Sequence, residues 1–188
     1  MKKLVFVFML FFLLSNKCSN DNVNIDKVEK EYYYARYDTY SSSGDEKLLV
    51  GYTVRNYTYK KDTIIEKITY IKKSGKVIDV QKQKFIQKDG NLYLFMNHKE
   101  FPYLILSAKD SCWTYEHPLF FTLRNCYKGD SLIGNEKVHI LQSACAECAD
   151  GQNEILYLDK DFVLYKKIYL NLMSFDLEIR IDKNKFPY

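Results

Sequence analysis

The residues of this chain with the most chemistry on offer are its five cysteines. Cys145-Ala-Glu-Cys148 has the spacing of a redox pair. Such pairs react when a helix N-terminus follows them and lowers the thiol pKa. Here Ala149-Asp150-Gly151-Gln152-Asn153 comes next, and then a strand-like run. A four-cysteine zinc site needs two close pairs, and Cys112 and Cys126 are far apart. Covalent haem needs His directly after CxxC, where this chain has Ala149. No metal or cofactor is therefore expected. In an oxidising compartment the default for Cys112, Cys126, Cys145 and Cys148 is two disulfides. Three pairings are open; Cys112–Cys126 with Cys145–Cys148 is the favoured one. The thiol-disulfide oxidoreductase reading of Cys145 and Cys148 stays as an alternative.

The compartment is read from residues 1–18. Lys2 and Lys3 precede an unbroken apolar run over 4–14, and Ser15, Asn16 and Lys17 follow. That is the layout of a secretory signal, and the run is shorter than the roughly 20 residues a spanning helix needs. Cys18, followed by Ser19-Asn20-Asp21-Asn22, resembles the start of a bacterial envelope lipoprotein. The resemblance implies that Cys18 is the first mature residue and carries lipid. The family usually has Leu three residues before that Cys and Gly or Ala just before it; this chain has Ser15 and Lys17. Cleavage near Ser15 or after Ser19 would instead leave a soluble periplasmic or secreted protein. Parity favours lipidation, since four cysteines then remain to pair. The expected location is the cell envelope, with the lipid as a membrane tether.

The formal charge of +4 falls to +1 without residues 1–17, because those contain three lysines and no acid. The basicity belongs to the signal and gives no argument for nucleic acid. His98, His117 and His139 are widely spaced. No nucleophile elbow, P-loop or dinucleotide fingerprint is present.

The elements that must position these residues read as strands. Segments 48–60, 63–71, 77–86, 92–96, 137–142, 154–158, 162–172 and 175–182 are separated by turn signals. Asp89-Gly90 is the strongest of these. Segment 92–96 is apolar on both faces, as a central strand would be. In the last segment Phe175, Leu177, Ile179 and Ile181 alternate with Asp176, Glu178, Arg180 and Asp182; period two predicts one buried and one wet face. Residues 18–31 read as a polar tether with a short helix, since Ile25, Val28 and Tyr32 fall at helical spacing. Residues 101–121 are ambiguous, broken by Pro102 and Pro118. The 17 tyrosines and 12 phenylalanines, Tyr32-Tyr33-Tyr34 among them, suit half-buried sheet surfaces.

The expected fold is mainly β over residues 32–188: a single antiparallel sheet, strongly curved as a half-barrel or sandwich, with one or two short helices. The hairpin around Tyr157-Leu158-Asp159-Lys160-Asp161-Phe162-Val163-Leu164-Tyr165-Lys166-Lys167 resembles a segment of envelope lipoprotein-carrier proteins. That resemblance implies a curved sheet wrapped around helices and able to hold acyl chains. The functional expectation is a non-enzymatic binding or structural module. Its partner would be an apolar ligand or another protein, and an acyl-chain carrier is a further alternative.

Overall fold

The computed structural model describes residues 27–40, 47–107, 109–117, 121–145, 153–170 and 174–188. Twelve strands form one antiparallel sheet: β1 (Val28–Tyr40), β2 (Leu48–Lys60), β3 (Thr63–Lys72), β4 (Val77–Lys88), β5 (Asn91–Met96), β6 (Lys99–Leu104), β7 (Cys112–His117), β8 (Phe121–Ile133), β9 (Glu136–Cys145), β10 (Asn153–Asp159), β11 (Leu164–Leu170) and β12 (Ser174–Ile181). Successive strands are neighbours except β6 and β7, and β12 pairs with β1. The chain therefore runs up and down around a nearly closed barrel, and the seam falls between β6 and β7 rather than between the termini.

Local chemistry explains the connections. Asp89 and Gly90 both have positive φ, the conformation a two-residue hairpin turn requires. Asn97 and His98 do the same between β5 and β6. Pro102 lacks an N–H and sits on seam strand β6, where the ladder ends. Side chains tie the seam. The Trp113 indole donates to the Pro102 carbonyl at 2.6 Å, and the Asn125 amide to the Tyr103 carbonyl at 2.9 Å.

The core lies inside the barrel. Tyr34, Leu104, Val138, Leu141 and Val163 are fully buried. At one end, where β1 begins and β10 meets β11, the turn after Asp159 folds inward. The Asp159 carboxylate accepts the Asp161 and Val163 N–H groups at 3.0 Å each. These bonds hold Phe162 at φ 60°, a costly conformation for a bulky residue. Phe162 and Val163 thereby plug that end.

Several expectations are corrected. Among the described residues the only helical turn is a single 3-10 turn, Lys183–Lys185. Val28 opens a strand rather than continuing a helix, because its partner Tyr59 on β2 supplies a ladder. Residues 92–96 form β5, an interior strand laddered to β4 on one side and β6 on the other. The faces of β12 depart in part from the expectation: Leu177 is buried and Asp176 exposed as expected, but the later residues reverse. Glu178 and Arg180 point into the barrel, paired in register with Arg36 and Tyr34. Ile179 and Ile181 lie on the convex side beside Ala35 and Tyr33. The C-terminal residues cover that side, with Phe186 packed on Tyr33 and Tyr52, and Tyr188 on Tyr52. The periodicity holds, but the charged cluster inside the barrel draws Glu178 and Arg180 inward. The signal, Cys18 and Cys148 lie outside the described residues.

Candidate functional site

Alternation on β2 places Thr53, Arg55 and Tyr57 on the concave face. Arg55 is 6 % exposed, a buried cation that requires compensation. Its Nε and Nη2 donate to Glu178 Oε1 and Oε2 at 3.1 and 3.0 Å. Its Nη1 donates to Glu66 Oε1 at 2.6 Å. Glu66 comes from β3, and Glu178 reaches across β1 from β12. The Tyr57 hydroxyl donates to the same Glu66 oxygen at 2.7 Å, and Tyr34 presents its ring to the Arg55 guanidinium at 5.4 Å. The Tyr34 hydroxyl and Arg180 both donate to the Leu164 carbonyl, and Arg180 also holds Asp159 at 2.8 Å. This couples the charge cluster to the plug.

Burial pushes the Glu178 carboxyl up, but the Arg55 guanidinium outweighs it and holds the group below its usual range. Burial opposes the charged form of Arg55, and Glu178 and Glu66 more than restore it. Tyr57 is pushed well above its ordinary value, first by burial and then by Glu66. A depressed carboxylate stabilises the fold above its unfolded pKa, near ~4.3 for glutamate. That contribution is lost as pH falls through the folded value. The expected unfolding free energy is therefore flat from neutral pH to about pH 5 and falls below it. Glu178→Gln should be less stable at pH 7 and show a shallower acid limb in denaturant titrations at stepped pH.

Above this cluster lies a cavity of about 300 Å3. Phe85, Leu94 and Leu156 form its apolar part; Tyr70, Gln81, Gln83 and Ser143 are among its polar walls. Glu154 and Lys167 also line it and pair with each other at 2.6 Å. Towards the end opposite the plug, Arg36, Asp38 and Asp176 line an adjoining mouth. Gly51 leaves room there: a Cβ would stand 2.9 Å from the Arg36 guanidinium and 2.3 Å from the Ile71 carbonyl oxygen. Arg36 Nε and Asp38 Oδ1 are buried at this mouth without a hydrogen-bond partner. Burial, and then the facing Asp38, raise the pKa of Asp176.

The cysteines stand apart from this cavity. Cys112 and Cys126 are directly opposed on β7 and β8 and form a disulfide with a Cα separation of 4.0 Å. This agrees with the pairing read from the sequence. Cys145 ends β9 and is disulfide-bonded; its expected partner Cys148 lies outside the described residues. No group of three or more metal-ligating side chains occurs among the described residues. His139 is held by Asp130 at 2.6 Å and stacks near Phe162, while His117 lies at the cavity margin. The Arg55–Glu66–Glu178 cluster is not legible in the sequence, because β2, β3 and β12 each supply one member and β12 meets them only through the closed sheet. The one available signal is Arg55 between Thr53 and Tyr57 on an alternating face.

No described helix is long and apolar enough to cross a membrane. The convex face of β3 and β4 carries Lys67, Lys82 and Lys84, where a membrane-embedded barrel presents apolar side chains to lipid. The barrel encloses no helix among the described residues, unlike the half-barrel that the carrier resemblance implied. In comparisons with family models, curated proteins and solved structures, nothing matches this chain.

Proposed function

We propose that the protein is a non-enzymatic, exported binding module, tethered to an envelope membrane through lipid on Cys18, that holds a small polar ligand inside its barrel. The observation that carries this reading is the buried Arg55–Glu66–Glu178 cluster beside a cavity of about 300 Å3. That volume is at the lower end of small-molecule sites. Well-packed apolar residues would stabilise a barrel core at least as well as buried ion pairs, so the charges point to a task other than stability. The charged groups of the cavity wall are engaged with one another: Arg55 with two carboxylates, and Lys167 with Glu154. A ligand in the cavity therefore meets hydroxyl and amide groups beside charges that already have partners. An uncharged polar molecule with one apolar face suits this lining better than an acyl chain. The tether would enter at Val28, at the plugged end, so the mouth faces away from the membrane.

The test is a thermal-shift and calorimetry panel of neutral sugars and small amides against fatty acids, run on purified protein. A neutral polar compound should raise the melting temperature, and Arg55→Met/Glu66→Leu/Glu178→Leu should abolish the shift. Stabilisation by fatty acids alone would replace this reading with the acyl-carrier one. Intact-mass analysis of the native protein checks the lipid on Cys18.

A further inference from the structure

β3 pairs with β4 from Val77 to Ile86, but β5 pairs only with Phe85 to Lys88. Residues 77–84 therefore have a neighbouring strand on one side only, among the described residues. The Gln87 N–H bonds the Asp62 carbonyl beside β3 at 2.7 Å, so by alternation the even-numbered residues point their N–H groups to the open side; the Val80 N–H donates to the Asp79 carboxylate at 2.8 Å. The N–H groups of Lys82 and Lys84 share that side by alternation, which the bulge at Ile78 interrupts.

Proteins normally blunt such edges by shortness, lysines, bulges or cover. This one has a bulge at Ile78 and carries Lys82 and Lys84, yet it is long and exposes Val77, Ile78 and Val80. Next to these residues the convex face is basic. Lys67 on β3 stands directly opposite Lys82 on β4, and like charges in that arrangement destabilise a sheet. Lys84 follows on the same face, its ammonium 4.1 Å from the Phe95 ring centroid. Among the described residues no carboxylate pairs with Lys67, Lys82 or Lys84. The chain beyond residue 17 is nearly neutral, so this is a local concentration of charge. Gln81, Gln83 and His117 line both the interior cavity and an outer groove along this edge.

We infer that residues 77–84 are a docking edge for an extended segment of a partner protein, which adds antiparallel to β4 in line with β5. Main-chain bonds to the open edge supply affinity, and side chains supply specificity. On the convex face the incoming strand places apolar residues opposite Ile78 and Val80, and acidic residues opposite Lys82 and Lys84. On the concave face it meets Asp79, Gln81 and Gln83, which suit uncharged polar residues. A second copy is a poor occupant, because it brings the same lysines to the same edge. The docked strand would complete the barrel wall between β4 and His117. This inference does not depend on the cavity's having a ligand.

The probe is the labelled peptide Glu-Thr-Glu-Thr-Val-Thr-Val, titrated against purified protein by fluorescence anisotropy and followed by amide hydrogen exchange. Saturable binding is expected, with exchange protection at Val80, Lys82 and Lys84. The counterpart Lys-Thr-Lys-Thr-Val-Thr-Val should bind about tenfold or more weakly. Lys82→Glu/Lys84→Glu should invert that preference. Val80→Pro removes an N–H on the open side and spares the β3 ladder, so it should weaken both peptides. If that variant misfolds, the charge-reversal pair decides by itself. Equal binding of the two peptides, no binding up to about 1 mM, or protection elsewhere would overturn the proposal. So would a dimer in sedimentation that protects 77–84 without peptide, which would assign the edge to a second copy.

Discussion

Arg55→Met should lower the unfolding free energy by about 3–5 kcal/mol. Arg55 donates to carboxylates from two other strands, and its side chain is 8 % exposed, with those of Glu66 and Glu178 at 6 % and 9 %. Removing the cation leaves two acids within one interior, each short of a partner. An uncompensated buried charge costs more than the pair contributed. The triple variant Arg55→Met/Glu66→Leu/Glu178→Leu removes all three charges and should regain most of the loss, ending within about 1–2 kcal/mol of the parent protein. Urea titrations of the three proteins provide the check. A loss below about 1 kcal/mol for Arg55→Met would mean that water reaches the carboxylates through the cavity, as at an exposed ion pair. If the triple variant is stable but its ligand response is gone, stability and function separate at one site.

Cys112→Ser/Cys126→Ser should cost about 3 kcal/mol, the loop-closure value for a short loop; the two cysteines are separated by 14 positions. The bridge joins β7 to β8, and β7 is a terminal strand of the sheet whose far side has only the seam. Without the bridge, β7 depends on one ladder and on contacts such as Trp113 to Pro102. The expected signature in native-state hydrogen exchange is selective loss of protection in β6 and β7, with β1 to β3 retained. Uniform loss across the barrel would show that the seam is not an independent weak point.

The outcome for individual elements shows where sequence patterns carry structural information. Residues 48–60 alternate, with Thr53 and Arg55 opposite Tyr52 and Val54, and β2 has those bounds and faces. Asp89-Gly90 makes the expected turn because both residues tolerate positive φ. These are local properties, set by sterics within a few residues. β8 was not anticipated as a strand of 13 residues. Its Lys128-Gly129-Asp130 resembles a turn in sequence, yet it is absorbed as an irregularity in the ladder to β9, with Gly129 at φ 95°. The described part of residues 101–121 supplies most of β6, all of β7 and the first residue of β8, because partners across the sheet outweigh Pro102 and mixed propensity.

The sequence by itself determines that this is an antiparallel β protein with a secretory-type N-terminal layout, and it ranks the cysteine pairing. Alternation, turn chemistry and cysteine spacing are short-range features, readable without knowing which strands meet. Only the tertiary structure decides that β12 closes on β1, that Glu178 and Arg180 face inward, and that Arg55 meets Glu66 and Glu178. The physical reason is that an alternating strand specifies two faces but not which is enclosed. Burial is assigned when the sheet curves, and the pairing of Arg55 with both carboxylates is what makes the charged face tolerable inside.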